Sequence, residues 1–400
     1  MSENKRESSL IVKLLIGIVV GIVIGLACVG SSFGLGVMQV LGSIQHLCGQ
    51  VIFYVVPLVV LAFIGPAIVR LGANASKMLF AGVGLAYLSS VGAACFAYFA
   101  GTALFSFINI PSKSVDAGRA MPEILFKFNI PPLMGVMTAL ITALVFGLAI
   151  LWSQSKTLEN VWNEFEQCVL LIVQKIVIPI LPFFIAATFS ILAYEGMITE
   201  QLPVFIKIIL IALVGHFIWM FVLYAIAGAI SGKNPWQVAK YYGPAYLTAV
   251  GTMSSAATLP VSLECARKSP VLSRETVDFM IPLGATVHLC GSVLTETLFI
   301  LVISQMLYGG VPPFETMVLF ILLFGFFAVG APGVPGGTVM ASLAIVISVL
   351  GFDNEGTALL IAIFALQDSF GTACNVTADG ALALMIEGLF GKKKDGQTTA

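Results

Sequence analysis

Charge is what this sequence has least of. Only 10% of its 400 residues are Asp, Glu, Lys or Arg, against 59% that are hydrophobic. A soluble chain of this length could not cover so much apolar surface with so few charges. No Lys or Arg occurs between Arg274 and Lys392, so an acid in that stretch has no base near it in sequence. A G-x-x-x-x-G-K-[ST] phosphate loop is missing, which argues against ATP hydrolysis on this chain. The seven cysteines (Cys28, Cys48, Cys95, Cys168, Cys265, Cys290 and Cys374) are odd in number and lack C-x-x-C spacing. They indicate neither a disulfide framework nor a metal cluster, and no cofactor is expected. His46, His216 and His288 are too dispersed to suggest a metal site.

Long uncharged windows are what the chain has in plenty. Leu14–Gly49, Val51–Val69, Met78–Ile108, Leu133–Trp152, Ile208–Ile230 and Val293–Val311 each suit one or more membrane spans. The pattern predicts an all-α integral membrane protein with long helices near 8–29, 36–70, 76–107, 133–153, 158–196 and 203–231. Lys5, Arg6 and Lys13 precede the first span, and Lys392, Lys393 and Lys394 follow the last. Positive charge favours the cytoplasmic side, so both termini are expected there, with an even number of crossings. Arg70 and Lys77 put the second loop inside as well. Lys5 and Arg6, followed by an apolar run and Ala27-Cys28, have the outline of a cleaved signal. The run exceeds a signal's apolar length, however, and further spans follow. Pro111–Phe128 carries Lys113, Asp116, Arg119, Glu123 and Lys127, and is expected to be a solvated loop.

From about Pro235 the hydrophobic segments become interrupted. Thr252-Met-Ser-Ser-Ala-Ala-Thr-Leu-Pro260 splits a segment bounded by Lys240 and by Arg267, Lys268 and Arg274. Each half, about 10–14 residues, is too short to span alone, and basic residues stand at both ends. That combination fits a re-entrant hairpin. Gly330-Ala-Pro-Gly-Val-Pro-Gly-Gly-Thr338 splits residues 314–350 in the same way. Paired glycine- and proline-broken segments are the sequence sign of a transporter's midplane site. Unpaired backbone at that depth is tolerable only where it lines a protein cavity.

The final apolar segment contains Leu366 to Asp379, LQDSFGTACNVTAD. An ionised group at the bilayer centre costs at least ~2.5–3.5 kcal/mol, so such residues are rarely idle. Thr372, Asn375 and Asp379 follow Asp368 at helical spacing. At about 100° per residue, all four lie on one stripe roughly 16 Å long. This stripe reads as a solute and ion pathway. Upstream, Gly284-Ala-Thr-Val-His-Leu-Cys-Gly-Ser292 places another glycine and several polar groups amid an apolar run, and Ser292 and Glu296 share a helix face.

The order SSAATLP, PLGATVHLCGS, APGVPGG and QDSFGTACNVTAD resembles the dicarboxylate/amino acid:cation symporters, the glutamate transporter family. The resemblance implies eight transmembrane helices plus two re-entrant helical hairpins, assembled as an elevator-type homotrimer in the cell membrane. It implies scaffold helices 1–2 over 8–70 and 4–5 over 133–196. Helix 3 of the transport domain would fall at 76–107, and the rest of that domain at 203–390. In the family, residues matching Ser254 and Ser255 hold the substrate carboxylate, and the one matching Asp368 binds its amino group. Thr372 and Asn375 also match substrate contacts, and the tip containing Gly333, Val334 and Gly336 matches the extracellular gate. Asp379 matches a sodium-ligating aspartate, assisted by backbone carbonyls near Gly284, His288 and Asn375. Glu296 matches a position regarded as the proton carrier in animal glutamate carriers. An apolar site favours the neutral form of a carboxyl, the property that such a role needs. A packing carboxyl is the alternative there, as an interior packing histidine is for His288.

Departures from the family pattern shift the expected substrate. The family's central Asn-Met-Asp-Gly-Thr is here His288-Leu289-Cys290-Gly291-Ser292, which implies the loss of one sodium site. Phe364 stands where acidic amino acid carriers have a further aspartate. Gly371 stands where they have the arginine that pairs with the substrate's second carboxylate, and Met253 supplies no replacement. Desolvating that carboxylate without a cation would be costly. The expectation is therefore a sodium symporter, with a proton as a possible second coupling ion, for a small neutral amino acid such as serine, threonine or alanine. The serine/threonine symporters of the family are nearest in motif. A proton- or sodium-coupled carrier of C4-dicarboxylates or acidic amino acids is the alternative, and a cation channel a more distant one. An aspartate dyad hydrolase is disfavoured, because Asp368 and Asp379 stand about three helical turns apart.

Overall fold

A computed structural model of the chain describes residues 3–73, 77–105, 122–196 and 198–391. All regular elements among these residues are helices. The first group comprises α1 (Glu3–Ala27), α2 (Ser32–Ala73), α3 (Lys77–Leu104), α4 (Val136–Ser153), α5 (Lys156–Ile172), α6 (Ile178–Glu195) and α7 (Ile198–Ser231). A short α8 (Trp236–Ala239) leads into the broken segments. These are α9 (Gly243–Thr252), α10 (Ser255–Arg267), α11 (Arg274–Val287), α12 (Cys290–Tyr308), α13 (Phe314–Gly330) and α14 (Gly337–Ser348). The chain closes with α15 (Asn354–Phe390). The single helix expected over 158–196 runs continuously over Lys156–Glu195 and contains a π turn at Val173–Val177. Among the described residues, six helical stretches are long and apolar enough to cross a bilayer, and shorter apolar helices lie at Val12–Ala27, Thr138–Ser153, Phe314–Gly330 and Gly337–Ser348. Of the charged loop, residues 111–121 lie outside the described residues, as do Lys392, Lys393 and Lys394. In its described part Glu123 and Lys127 are exposed and 3.7 Å apart.

Helix starts are set by short polar side chains that accept otherwise unpaired first-turn amides. Ser155 accepts from Leu158 N, Ser254 from Ala257 N, Ser273 from Thr276 N and Asp353 from Gly356 N.

Packing falls into two sets. α1 lies along α6, and α2 packs on α4, α5 and α6. Glycines at four-residue spacing let α1 approach so closely. A Cβ on Gly17 would sit 2.8 Å from the Pro182 carbonyl oxygen, and on Gly21 and Gly25 it would run into those of Ala186 and Ser190. On α2, Gly65 lies under the Trp162 ring, whose Nε1 donates to Leu61 O at 3.1 Å. That turn is already disturbed by Pro66, which removes a backbone donor. An extended segment after residue 122 runs along the same helix. Leu125 N donates to Ser43 Oγ, His46 Nε2 to Phe128 O and Ile130 N to Gln50 Oε1.

In the second set α15 packs on α7, α9, α11 and α12, while α3 packs on α11, α12 and α13. Within the 18-residue apolar windows of Arg274–Tyr308 and Asn354–Phe390, 89% and 83% of residues are buried, against 33% for those of Lys77–Phe105 and Leu202–Ser231. So α11, α12 and α15 form the centre, and α3 and α7 turn apolar side chains such as Leu88, Leu210 and Phe221 outward. The far end of α15 is fastened by Glu387. It accepts from Lys233 Nζ at 3.0 Å, Ser273 N at 3.0 Å, and Ser273 Oγ and Thr276 Oγ1 at 2.7 Å.

The α1–α6 approach gives a direct test. Gly21→Ala should weaken the docking of α1 by about 1–3 kcal/mol, because the added methyl meets backbone. Cys28, buried at the end of α1, reports it. With Cys48, Cys95 and Cys168 replaced by serine, maleimide labelling of Cys28 should accelerate roughly ten-fold. Gly36→Ala, where a Cβ meets nothing within 4 Å, should leave the rate unchanged.

Candidate functional site

Three interruptions converge beside one unbroken helix. The first separates α9 from α10. Met253 ends α9 in a left-handed conformation (φ 54°), and Ser254 follows in an extended one. The second separates α13 from α14 across Ala331 to Gly336, whose last residue is also left-handed (φ 72°). The third is the unwound pair His288 and Leu289 between α11 and α12. Each break turns backbone groups away from helical pairing and toward a neighbour.

The first two breaks touch. Ser254 Oγ donates to Gly333 O at 2.8 Å. A Cβ on Gly333 would lie 3.0 Å from Ala285 O and 3.8 Å from the Ser255 Cβ, so the glycine seats the second tip on the first. Val334 is half-buried, with its N–H on Pro332 O at 2.9 Å. Gly336 N donates to Asp368 Oδ2 at 2.7 Å, joining the second tip to α15. Ser254, Ser255, Gly333, Val334, Gly336 and Asp368 are thus brought together, with Thr372 one turn further along α15. Ser254, Ser255, Asp368 and Thr372 are all less than 5% exposed.

Lower on the stripe, Asn375 faces α12. Its Oδ1 accepts from Gly291 N at 2.7 Å and Ser292 N at 3.3 Å, and its Nδ2 donates to Ser292 Oγ at 3.0 Å. Asp379 faces the third break. Its Oδ1 lies 2.9 Å from His288 Nδ1, and His288 Nε2 lies 2.8 Å from Ser89 Oγ on α3. Both His288 nitrogens are therefore bonded, in a ring with no exposed surface. Gly284 makes room for the carboxyl: a Cβ there would be 2.5 Å from Asp379 Oδ1 and 2.6 Å from its Cγ. The Gly284 carbonyl also accepts from His288 N at 2.9 Å. Gly284, His288 and Asp379 are thus in one cluster, and Asn375 is a turn away, its amide turned to α12.

Glu296 stands apart, on the side of α12 that meets α14. Ser342 Oγ hydrogen-bonds Glu296 Oε1 and also lies 3.0 Å from Val339 O. Glu296 Oε2 meets no protein donor, and the residue is fully buried. The single Ser342 proton can go to Val339 O only if the glutamate side supplies a proton to Ser342 Oγ.

Sequence reasoning did not find Ser89 as the second partner of His288, or Ser342 as that of Glu296. Each lies far from its partner in sequence, on a different helix, and carries no motif signal. Gly371 matters in the sequence for the side chain it lacks. In space it abuts Ser292, where a Cβ would lie 3.2 Å from Ser292 Cα and Oγ.

The model of the family described as Sodium:dicarboxylate symporter family matches residues 10–389. Excitatory amino acid transporter 1 of Ambystoma tigrinum is 26% identical over 71% of this chain and 53% of its own length. Excitatory amino acid transporter 3 of Mus musculus is 31% identical over 65% of this chain and 50% of its own. Neutral amino acid transporter B(0) of Homo sapiens is 27% identical over 64% and 47%. The matched region thus spans about half the length of these relatives.

The fit of Gly284 against Asp379 is checked by Gly284→Ala. The methyl must displace the carboxyl from His288, costing about 1–3 kcal/mol for crowding together with a disturbed buried hydrogen bond. A lowered melting temperature of the purified protein is expected. Gly84→Ala, in α3 with open space around it, should not lower it.

Proposed function

This chain belongs to the Sodium:dicarboxylate symporter family, and on that premise we propose that it is a secondary active symporter. It couples sodium, together with a proton, to the uptake of a small neutral amino acid such as serine, threonine or alanine. Its setting is the cell membrane, with eight spanning helices, two re-entrant hairpins (α9–α10 and α13–α14) and both termini cytoplasmic. It works as a homotrimer, moving α3 and residues 203–390 as an elevator against a scaffold of α1, α2 and α4–α6. Most packing lies within those two sets, with α13 and α14 also resting on α2 and α14 on α4, which supports the division.

The observation that carries the reading is the meeting of both broken tips over Asp368. The substrate carboxylate is received at Ser254 and Ser255, where the start of α10 favours negative charge. Its ammonium group is received by Asp368, with Thr372 and Asn375 beside it. Gly333, Val334 and Gly336 form the gate, whose closing contacts are the Ser254–Gly333 and Gly336–Asp368 hydrogen bonds. Sodium is carried at Asp379, with the backbone carbonyls of Gly284, His288 and Asn375. His288 fills the space between Asp379 and Ser89 with its own ring, which supports a reduced set of ion sites. Glu296 carries the proton, a role supported by its bare oxygen and its Ser342 partner.

The neutral substrate is favoured by Gly371. Its Cα side is closed by Ser292, so an arginine there would require α12 to move, and no Lys or Arg occurs among residues 275–391. A second substrate carboxylate would be left unpaired in an apolar site.

One flux matrix decides among these readings. Proteoliposomes should accumulate serine, threonine or alanine under an inward sodium gradient, and succinate or aspartate poorly. Asp379→Asn should abolish the sodium dependence, and Glu296→Gln should remove the response to a pH gradient while sodium dependence persists. Succinate uptake driven by pH and indifferent to sodium would point instead to a dicarboxylate carrier. Sodium dependence unchanged in Asp379→Asn would refute the ion site.

A further inference from the structure

His216 belongs to none of the roles above, yet it is fully buried on α7 and bonded into the centre of the molecule. Its Nε2 lies 3.0 Å from Gly291 O and 2.8 Å from Thr295 Oγ1, both on the first turns of α12. Its Nδ1 meets no protein partner. A phenylalanine or leucine would fill the same space without leaving a ring nitrogen bare. Only the bond made by Nε2 offsets that cost.

The first turn of α12 needs outside support because it follows a break. Its first amides have no intrahelical acceptor, and Leu289 offers no capping side chain. Asn375 Oδ1 takes two of them, Gly291 N and Ser292 N. The Gly291 carbonyl and the Ser292 N–H belong to one planar peptide unit, so they turn together. Helical pairing gives Gly291 O the Thr295 N–H, and a second donor on that oxygen further steadies the direction in which Ser292 N–H points. Gly291 has little other freedom, since a Cβ there would be 2.5 Å from both Cys374 Cβ and Gly371 O.

We propose that His216 is a positioning residue for Asn375: by donating from Nε2 to Gly291 O, it aims the Gly291–Ser292 peptide at the Asn375 side chain and so sets the geometry of the substrate pocket. Because a carbonyl only accepts, the ring is the tautomer that carries its proton on Nε2. The effect on transport rests on the symporter reading, whereas the effect on the α12 turn does not.

Three measurements test it. Hydrogen exchange in a peptide covering residues 286–296 should be about ten-fold faster in His216→Phe than in wild type, the size of one lost buried hydrogen bond. His216→Gln, which keeps a donor near the Nε2 position, should restore slow exchange. In proteoliposomes His216→Phe should raise the amino acid KM about ten-fold with little change in kcat, and His216→Gln should recover it. With only three histidines in the chain, nitrogen-15 NMR of the wild-type protein resolves the tautomer directly. This measurement stands even where a variant fails to fold. An Nδ1-protonated His216, unchanged exchange in His216→Phe, or a His216→Gln no better than His216→Phe would each overturn the proposal. If wild type took up no amino acid, the symporter reading would fall, and exchange and NMR would still decide the role of His216.

Discussion

Carboxyl groups placed in an apolar interior, with no base nearby in sequence, are the constraint on which the rest of this structure depends. α15 carries Asp368 and Asp379 through the most buried part of the molecule, and α12 adds Glu296. Each must find donors on another element, because a regular helix spends its own N–H groups on itself. The broken helices supply them. Gly336 N at the second break meets Asp368, and His288 at the third meets Asp379. The amides that open α12 meet Asn375. The polar stripe and the interrupted segments are two halves of one solution, in which groups freed at the breaks pair with buried polar side chains of the stripe.

Close approach is the second requirement, and glycine meets it. Gly284 admits the Asp379 carboxyl, Gly291 admits Cys374 and the Gly371 carbonyl, and Gly333 seats one tip on the other. At the periphery, Gly17, Gly21 and Gly25 bring α1 against the carbonyls of α6. In a lipid solvent apolar burial gives helices no preference for one another, so such contacts carry much of the association.

Under the proposed function, α15 holds the substrate and sodium stripe, and two positions bear on what it carries. Gly371 closes on Ser292, and a histidine stands where the family's central motif has an asparagine. Its relatives include both excitatory and neutral amino acid transporters. Local chemistry at these positions, more than overall identity, therefore separates the readings.

Much was legible in the sequence. The long helices followed from uncharged windows, the interruptions from Gly, Pro and Ser, and the Asp368–Asp379 stripe from its helical spacing. These are local signals, because length, periodicity and backbone preference are properties of neighbouring residues. The π turn inside helix 158–196 was not legible, since nothing in its composition marks it. Neither were the partners: Ser89 for His288, Ser342 for Glu296, Gly291 for His216, or Lys233 and Ser273 for Glu387. The sequence by itself determined that costly polar groups lie within an apolar chain and which segments could not be continuous helices. Only the tertiary structure decided which donor each group meets. Those bonds join residues as many as 199 positions apart, and their geometry depends on how whole helices pack.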